Sequence, residues 1–243
     1  MRDLTRARED IKALERQAKQ RLSAFLLRHG RLYALGKTKW TKAHGEWLMT
    51  LKFEAPVQQI VFQEYVDTVA HLTGRVPAVE QEMVRVLDNF SLAPIARALM
   101  ALRGVQLIAA LTVVAEIGDL TRFTAPRQLM STLGLVSSGI LERCHYAPRG
   151  TPKTGNGHVR RVLTFAAWCY RFPACKTAHL ERRAQNISDP VQAIVWKAQK
   201  RLCGRYQHLM RAGKLKVQVC TAIARELTGN LRAIACAVQR EAQ

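Results

Sequence analysis

Residues 91–120 read SLAPIARALMALRGVQLIAALTVVAEIGDL, and this stretch sets the structural class. Its apolar residues do not alternate; they fall in helix-length runs on either side of a break at Arg103-Gly104-Val105. The pattern predicts one helix over Leu92–Leu102 and another over Gln106–Ile117, with Gly104 turning the chain between them. A Gly-Val turn between two short apolar helices has the form of a helix-hairpin-helix element. There, backbone N–H groups at a helix N-terminus hold a DNA phosphate. The usual second hairpin glycine is absent, because Gln106 and Leu107 follow, and a plain helix–turn–helix corner also accounts for these residues. Arg103, Gly104 and Val105 are candidate DNA-binding residues on the first reading.

Upstream, Leu4, Ile11, Leu14, Leu22, Phe25 and Leu26 recur at helical spacing, and His29-Gly30 supplies a stop. Between Arg31 and Leu51, Tyr33, Trp40 and Trp47 are interleaved with Lys37, Lys39 and Lys42. Aromatics among cations suit stacking and charge contact with nucleic acid; a loop packed on a helical hairpin is the other reading. Over 57–90, Val66, Val69, Leu72, Val76, Val79, Met83, Val86 and Phe90 approximate a heptad seam. Gly74 and Pro77 interrupt it, so a kinked helix is expected, packed antiparallel to the first.

Downstream, Pro126 opens a short helix that ends at Leu133-Gly134-Leu135. The turn Thr151-Pro152-Lys153-Thr154-Gly155-Asn156-Gly157-His158 precedes Val159, Val162, Leu163, Ala166 and Tyr170, an apolar helical stripe with Asn156 as N-cap. Arg160 and Arg161 oppose the helix dipole in the first turns, which makes sense if an anion sits there. Lys153, Thr154, Gly155, Asn156, His158, Arg160 and Arg161 are therefore candidate DNA-binding residues. Further helices are read near Thr177–Gln185, Pro190–Met210 and Val217–Val238. The expected class is all-α: a helical hairpin or coiled-coil region over 1–90, a central domain over 91–175, and basic helices over 176–243.

The 243 residues carry 38 Lys+Arg against 18 Asp+Glu, a formal net charge of +20, with 48% hydrophobic residues. That composition fits one or two folded units with real cores and points to a polyanionic partner. Residues 1–52 hold a net +8, residues 53–142 a net −3 and residues 143–243 a net +15, so two basic arms flank a neutral middle. The best apolar run, Leu107 to Ala115, is far short of the roughly 18 residues of a membrane span. The N-terminus lacks the apolar core of a signal peptide. The six cysteines form no compact framework, and reduced cytosolic thiols are expected. Cys144-His145 with Cys169, Cys175 and His179 could be drawn as a zinc site, but no Cys-x2-Cys pair exists, and no metal ligand is assigned.

Ala101-Leu102-Arg103-Gly104-Val105, then Val114-Ala115-Glu116-Ile117-Gly118-Asp119-Leu120 with Arg122-Phe123, stand in order along the chain. Leu133-Gly134-Leu135-Val136 and Lys153-Thr154-Gly155-Asn156 with Arg160-Arg161 follow at characteristic spacing. Together they resemble the C-terminal domain of bacterial transposases of insertion-sequence family 110, also called the 116/902 type. Ala7-Arg8-Glu9-Asp10, Phe25-Leu26-Leu27-Arg28-His29-Gly30 and Trp196-Lys197-Ala198-Gln199 extend the likeness over nearly the whole chain. The resemblance implies a serine nucleophile that forms a phosphoserine link to DNA, and a structured guide RNA that pairs with donor and target DNA. It also implies Mg2+ held by an N-terminal nuclease-like domain with four acidic ligands.

Two departures follow. On the resemblance, Met1 falls where the family's first linking helix begins, so a chain without the acidic domain, impaired in cutting, is expected. Asp3, Asp10, Asp67 and Asp88 lie on helical patterns and cannot stand in for it. Second, the family's Ser-Gly step lies between Leu-Gly-Leu-Val and Lys-Thr-Gly-Asn. Here the only Ser-Gly is Ser138-Gly139, directly after that first motif, and Glu142-Arg143 occupies the ungapped position. A compensated reading-frame slip across Ser137 to Pro152 would explain this, and Ser138 is the candidate nucleophile. The expected function is DNA transposition, with element-end and target DNA, guide RNA and further copies of the chain as partners, in the bacterial cytoplasm. A non-enzymatic DNA- or RNA-binding regulator of a full-length transposase is the alternative.

Overall fold

The computed structural model describes residues 1–34, 38–136 and 154–241. Among them every regular element is helical, ten of them α-helices, and the all-α class expected from the sequence holds. The chain divides into two compact units, Arg6–Arg85 and the remainder, Met1–Thr5 with Val86–Gln243.

The Arg6–Arg85 unit is built from α1 (Arg2–Arg28), α2 (Lys42–Thr50) and α3 (Pro56–Leu87). Helices α1 and α3 run antiparallel: Arg8 bonds Glu80 at 2.7 Å, Thr73 donates to Glu15 at 3.4 Å, and the Phe25 and Phe62 rings lie 6.4 Å apart. Gly30 (φ 65) closes α1, and the Arg31 N–H reaches back to the Leu26 carbonyl at 2.9 Å, satisfying an orphan helix-end acceptor. Helix α3 runs through Gly74 and Pro77 as one 32-residue element; proline removes a single hydrogen-bond rung, and α3 has packing along its length to hold it. The core gathers Leu22, Phe25, Leu26, Leu48, Phe53 and Phe62, each contributing about 1.5–3 kcal/mol through burial.

The seam differs in register from the sequence reading at two places. Leu87 is buried and Val86 is 43% exposed, because the spacing after Met83 is four rather than three. On α1, Leu14 is half exposed while Glu15 is 5% exposed. Burial alone would raise the Glu15 carboxyl, but hydrogen bonds from Lys12 (2.7 Å) and Lys19 (2.5 Å) overcome that and hold it below the ordinary carboxylate value. A carboxylate lowered on folding contributes stability above its unfolded pKa and loses it as pH falls through the folded one. Glu15→Gln should therefore cost about 1–2 kcal/mol at neutral pH and flatten the acid limb of the midpoint-versus-pH curve below about pH 4. Thermal melts across pH 2–7 check this; an acid limb as steep as the parent's would remove Glu15 as a contributor.

In the other unit, α4 (Ala93–Leu99), α5 (Leu107–Ile117), α6 (Pro126–Thr132) and α7 (Gly157–Ala167) precede a 3-10 turn, Trp168–Arg171. Helices α8 (Ala178–Ala184), α9 (Asp189–Arg211) and α10 (Lys216–Glu241) complete it. The centre is α10, which packs on α4, α6, α7 and α9 and buries Val219, Ile223, Leu227, Leu231 and Ile234 completely. Helix α5 is buried from Ala110 to Ile117, as its all-round apolar sequence requires. Helix α4 stops at Leu99, three residues before the expected end, because Ala101 and Leu102 bond back three residues to Ala98 and Leu99 and tighten the chain into turns. Among the described residues no helix is long and apolar enough to cross a membrane, and all the cysteines are free thiols. Burial pushes the Cys203 and Cys220 thiols up, which makes them poor nucleophiles.

Candidate nucleic-acid interface

The motif Leu133-Gly134-Leu135 closes α6: the Gly134 and Leu135 N–H groups return to Ser131 and Met130 carbonyls, both at 2.9 Å. Its backbone is interlocked with Thr154-Gly155-Asn156. The Asn156 N–H donates to the Thr132 carbonyl at 3.2 Å. Gly134 (φ 63) and Gly155 (φ 89) face each other so closely that a Cβ on Gly155 would lie 2.6 Å from the Gly134 nitrogen and 2.7 Å from the Thr132 oxygen. Only glycine supplies both the left-handed backbone and the missing Cβ. Arg160 ties the two strands of chain by donating to the Thr154 carbonyl (2.7 Å) and the Leu133 carbonyl (3.3 Å), while Arg225 Nε donates to the Leu135 carbonyl at 2.5 Å. The chain thus leaves for residues 137–153 and returns from them at one pinned place.

Asn156 has two roles there. Its Oδ1 accepts the Val159 N–H at 3.0 Å, the N-cap expected from the sequence, and its Nδ2 donates to Glu116 Oε2 at 2.8 Å. Glu116 is 7% exposed. The Arg2 guanidinium donates to the Ala115 and Glu116 carbonyls, each at 3.1 Å, and its Nε lies 4.0 Å from the Glu116 carboxylate. A cation on the last carbonyls of α5 complements the helix dipole. Spacing and motif order alone assign no role to Glu116 or to Arg2. The available clue was that Glu116 is the lone charge in an otherwise apolar helix, and a buried carboxylate needs partners.

The described candidates fall into two groups at opposite ends of α7, about 15 Å apart along an 11-residue helix. At its N-terminus stand Thr154 and Gly155, both exposed, with Asn156, His158 and Arg160 half-buried and Arg161 exposed. At its C-terminal end Gly104 lies against the Ala166 carbonyl. Beside it, Arg103 donates to the Pro173 carbonyl at 2.8 Å and sits 6.0 Å over the Phe172 ring. Val105 is 1% exposed, its N–H bonded to Leu102 and its carbonyl accepting from Arg183 at 2.8 Å. Arg183 also donates to the Met100 carbonyl at 3.0 Å, and burial lowers its guanidinium pKa. The Arg103 turn is thereby clamped from two sides. Ser138 and Lys153, like Cys144 and His145, lie outside the described residues.

Several of the described carboxylates already have partners within the protein. Glu116 is committed to Asn156, Asp119 accepts from Thr121 at 2.8 Å, Asp88 pairs with Arg97, and Glu226 pairs with Arg201 at 3.0 Å. Among the described residues no group of three or more His, Cys, Asp or Glu side chains converges, Cys169, Cys175 and His179 included.

Comparison with known proteins places these motifs in context. The profile described as "Transposase IS116/IS110/IS902 family" matches residues 96–179, from α4 into α8. A Sinorhizobium fredii protein named as a transposase, y4qE, is 42% identical over 235 residues, covering 97% of this chain and 57% of that protein. The transposase for insertion sequence element IS1533 of Leptospira borgpetersenii is 27% identical over 211 residues, 86% of this chain and 61% of its own length. The chain therefore spans somewhat more than half the length of the curated relatives it matches. The matched residues 96–179 contain the interlock around Gly134, Gly155 and Glu116, and the chain belongs to the transposase IS116/IS110/IS902 family.

Proposed function

We propose that this protein acts in DNA transposition, presenting residues 137–153 to the DNA backbone at element ends and target. The observation that carries the reading is the single pinned junction from which that segment leaves and returns, beside the α7 N-terminus with Arg161 exposed. Backbone N–H groups and cations at such a terminus favour a phosphate. Ser138 is the proposed nucleophile: its Oγ forms a bond to phosphorus, the bond from phosphorus to a deoxyribose oxygen breaks, and that oxygen leaves as a hydroxyl carrying the proton. A structured guide RNA and a second copy of the chain are the further proposed partners. Mg2+ is proposed to enter with the family's acidic domain and would stabilise the charge that develops on the phosphate.

The reading is tested in two stages. Binding to element-end DNA should weaken steeply with salt, with a log–log slope of order minus the number of phosphates contacted; a flat salt response would remove DNA as the partner. With guide RNA and the acidic domain supplied in trans, a denaturant-resistant protein–DNA adduct is expected, and Ser138→Ala should abolish it. An adduct that survives Ser138→Ala displaces Ser138. If DNA binds but no adduct forms under any of these conditions, the chain is a nucleic-acid-binding regulator.

A further inference from the structure

We infer that the Arg6–Arg85 unit holds one unpaired nucleotide of a single-stranded nucleic acid, its base against Tyr33 and Trp47 and in reach of His44 Nδ1, its phosphates on Arg31 and Lys39. This rests on the proposed function, since it takes nucleic acid as the partner, and adds a site that the resemblance does not assign.

Between α1, α2 and the segment before α2 lies a cavity of about 190 Å3 lined by these five side chains and Ser23, with Ala24, Leu26, Leu27 and Leu32 as its aliphatic wall. It is smaller than the roughly 300–1,000 Å3 of pockets for drug-sized ligands and suits a single ring system. His44 is 2% exposed, and its Nδ1, itself closed to solvent, has no hydrogen-bond partner, so a base reaches it only as the rings around it part. An unsatisfied buried polar atom costs about 1–3 kcal/mol, so in a native fold it calls for a partner. The Tyr33, Trp40 and Trp47 rings surround the imidazole at centroid distances of 4.9, 5.0 and 5.4 Å. Burial, then Lys39, pushes the His44 pKa down, which favours the neutral ring. A neutral Nδ1 accepts from a base N–H in one tautomer and donates to a base carbonyl in the other. Half-buried Tyr33 and Trp47 offer aromatic surface for stacking, and Arg31 and Lys39 stand exposed for the attached phosphates.

A second observation extends the path. Trp40 has φ 67, the one positive-φ non-glycine among the described residues. The left-handed conformation costs about 1–2 kcal/mol for a residue with a Cβ, and such strain concentrates at binding sites. Trp40 lines an adjoining cleft of about 480 Å3 along Lys12, Arg16 and Lys19, with Lys19 Nζ 5.3 Å from its ring. The one acid lining that cleft, Glu15, is already held by Lys12 and Lys19. A basic cleft that ends on an indole and adjoins a pocket holding an unsatisfied imidazole matches a nucleotide strand. It does not match a duplex, whose bases are stacked inside.

The test measures binding of the full chain to fluorescent 12-nucleotide oligo(dT) and to a 12-base-pair duplex. Tyr33→Leu should weaken oligo(dT) binding about tenfold, the loss expected for one stacked base, and leave the duplex unchanged. His44→Phe keeps an aromatic ring in the box and removes Nδ1, and should weaken oligo(dT) about fivefold; far-ultraviolet circular dichroism verifies its fold. Parent-like oligo(dT) binding by Tyr33→Leu overturns the inference, even if His44→Phe fails to fold. If duplex still binds, the proposed function stands without this pocket. A chain that binds neither probe overturns both.

Discussion

Gly155→Ala is expected to lower the unfolding midpoint by about 10 °C. The substitution forces a Cβ into a backbone at φ 89, costing about 1–2 kcal/mol. It also drives that carbon to within 2.6–2.7 Å of the Gly134 nitrogen, the Leu133 carbonyl carbon and the Thr132 oxygen. None of these is the end of a flexible side chain, so the interlock between the two motifs must open and the Asn156-to-Thr132 hydrogen bond is lost with it. The sum is about 3–4 kcal/mol, a large share of the 5–15 kcal/mol that stabilises a typical domain, and at roughly 2–4 °C per kcal/mol it gives the stated shift. Gly157→Ala, two residues on at the start of α7, is the control. That position has nothing within 4 Å of a new Cβ and no left-handed backbone, so it should be neutral or slightly stabilising. Equal midpoints for the two variants in thermal melts would show that the interlock does not hold the fold.

Glu116→Ala is expected to cost about 3 kcal/mol, from the loss of a buried, partnered charge and the space it leaves. The ion pair with Arg2 is the smaller part, because that guanidinium side chain is 52% exposed and stands at 4.0 Å. The larger part is the 2.8 Å bond from Asn156, which joins the end of α5 to the start of α7. Glu116→Gln keeps a carbonyl acceptor for Asn156 and should cost only about 1 kcal/mol. Combined with Asn156→Ala, itself about 1 kcal/mol through the lost N-cap, Glu116→Ala should show a coupling of about 1–2 kcal/mol in denaturant unfolding. Additive costs would mean that the two side chains stabilise the unit separately.

Much of the fold was legible because helical periodicity is a local property. The stripes Val191, Ile194, Val195, Ala198, Leu202 and Val219, Ile223, Leu227, Ile234, Val238 follow from spacing, and all are buried except Ile194 and Val238, which are half-buried at the stripe edges. Asn156 as an N-cap was legible for the same reason, since the capping bond spans three residues. The Lys42–Thr50 helix was not foreseen, because its glycine and aromatics carry no periodic stripe; Thr41 capping the His44 N–H starts it. Nor could spacing show that Leu14 faces out while Glu15 faces in. Two lysines on the same helix and Thr73 on another make that burial tolerable, and the last is 58 residues away.

The candidate site divides along the same line. Residue types and their order were enough to indicate the all-α class, the motif set and the family, because each depends on neighbours in the chain. Folding settled what those motifs touch. Arg103 and Arg160, read as phosphate contacts, direct guanidinium donors to the protein's own carbonyls, and Gly134 and Gly155 meet across a turn of chain they do not share in sequence. Glu116 and Asn156, 40 positions apart, meet through a bond with no sequence signature. A hydrogen bond depends on a few tenths of an ångström between groups distant in sequence, and periodicity carries no such information. The two basic arms remain the feature that points to a polyanion, while packing determines which of their cations face inward.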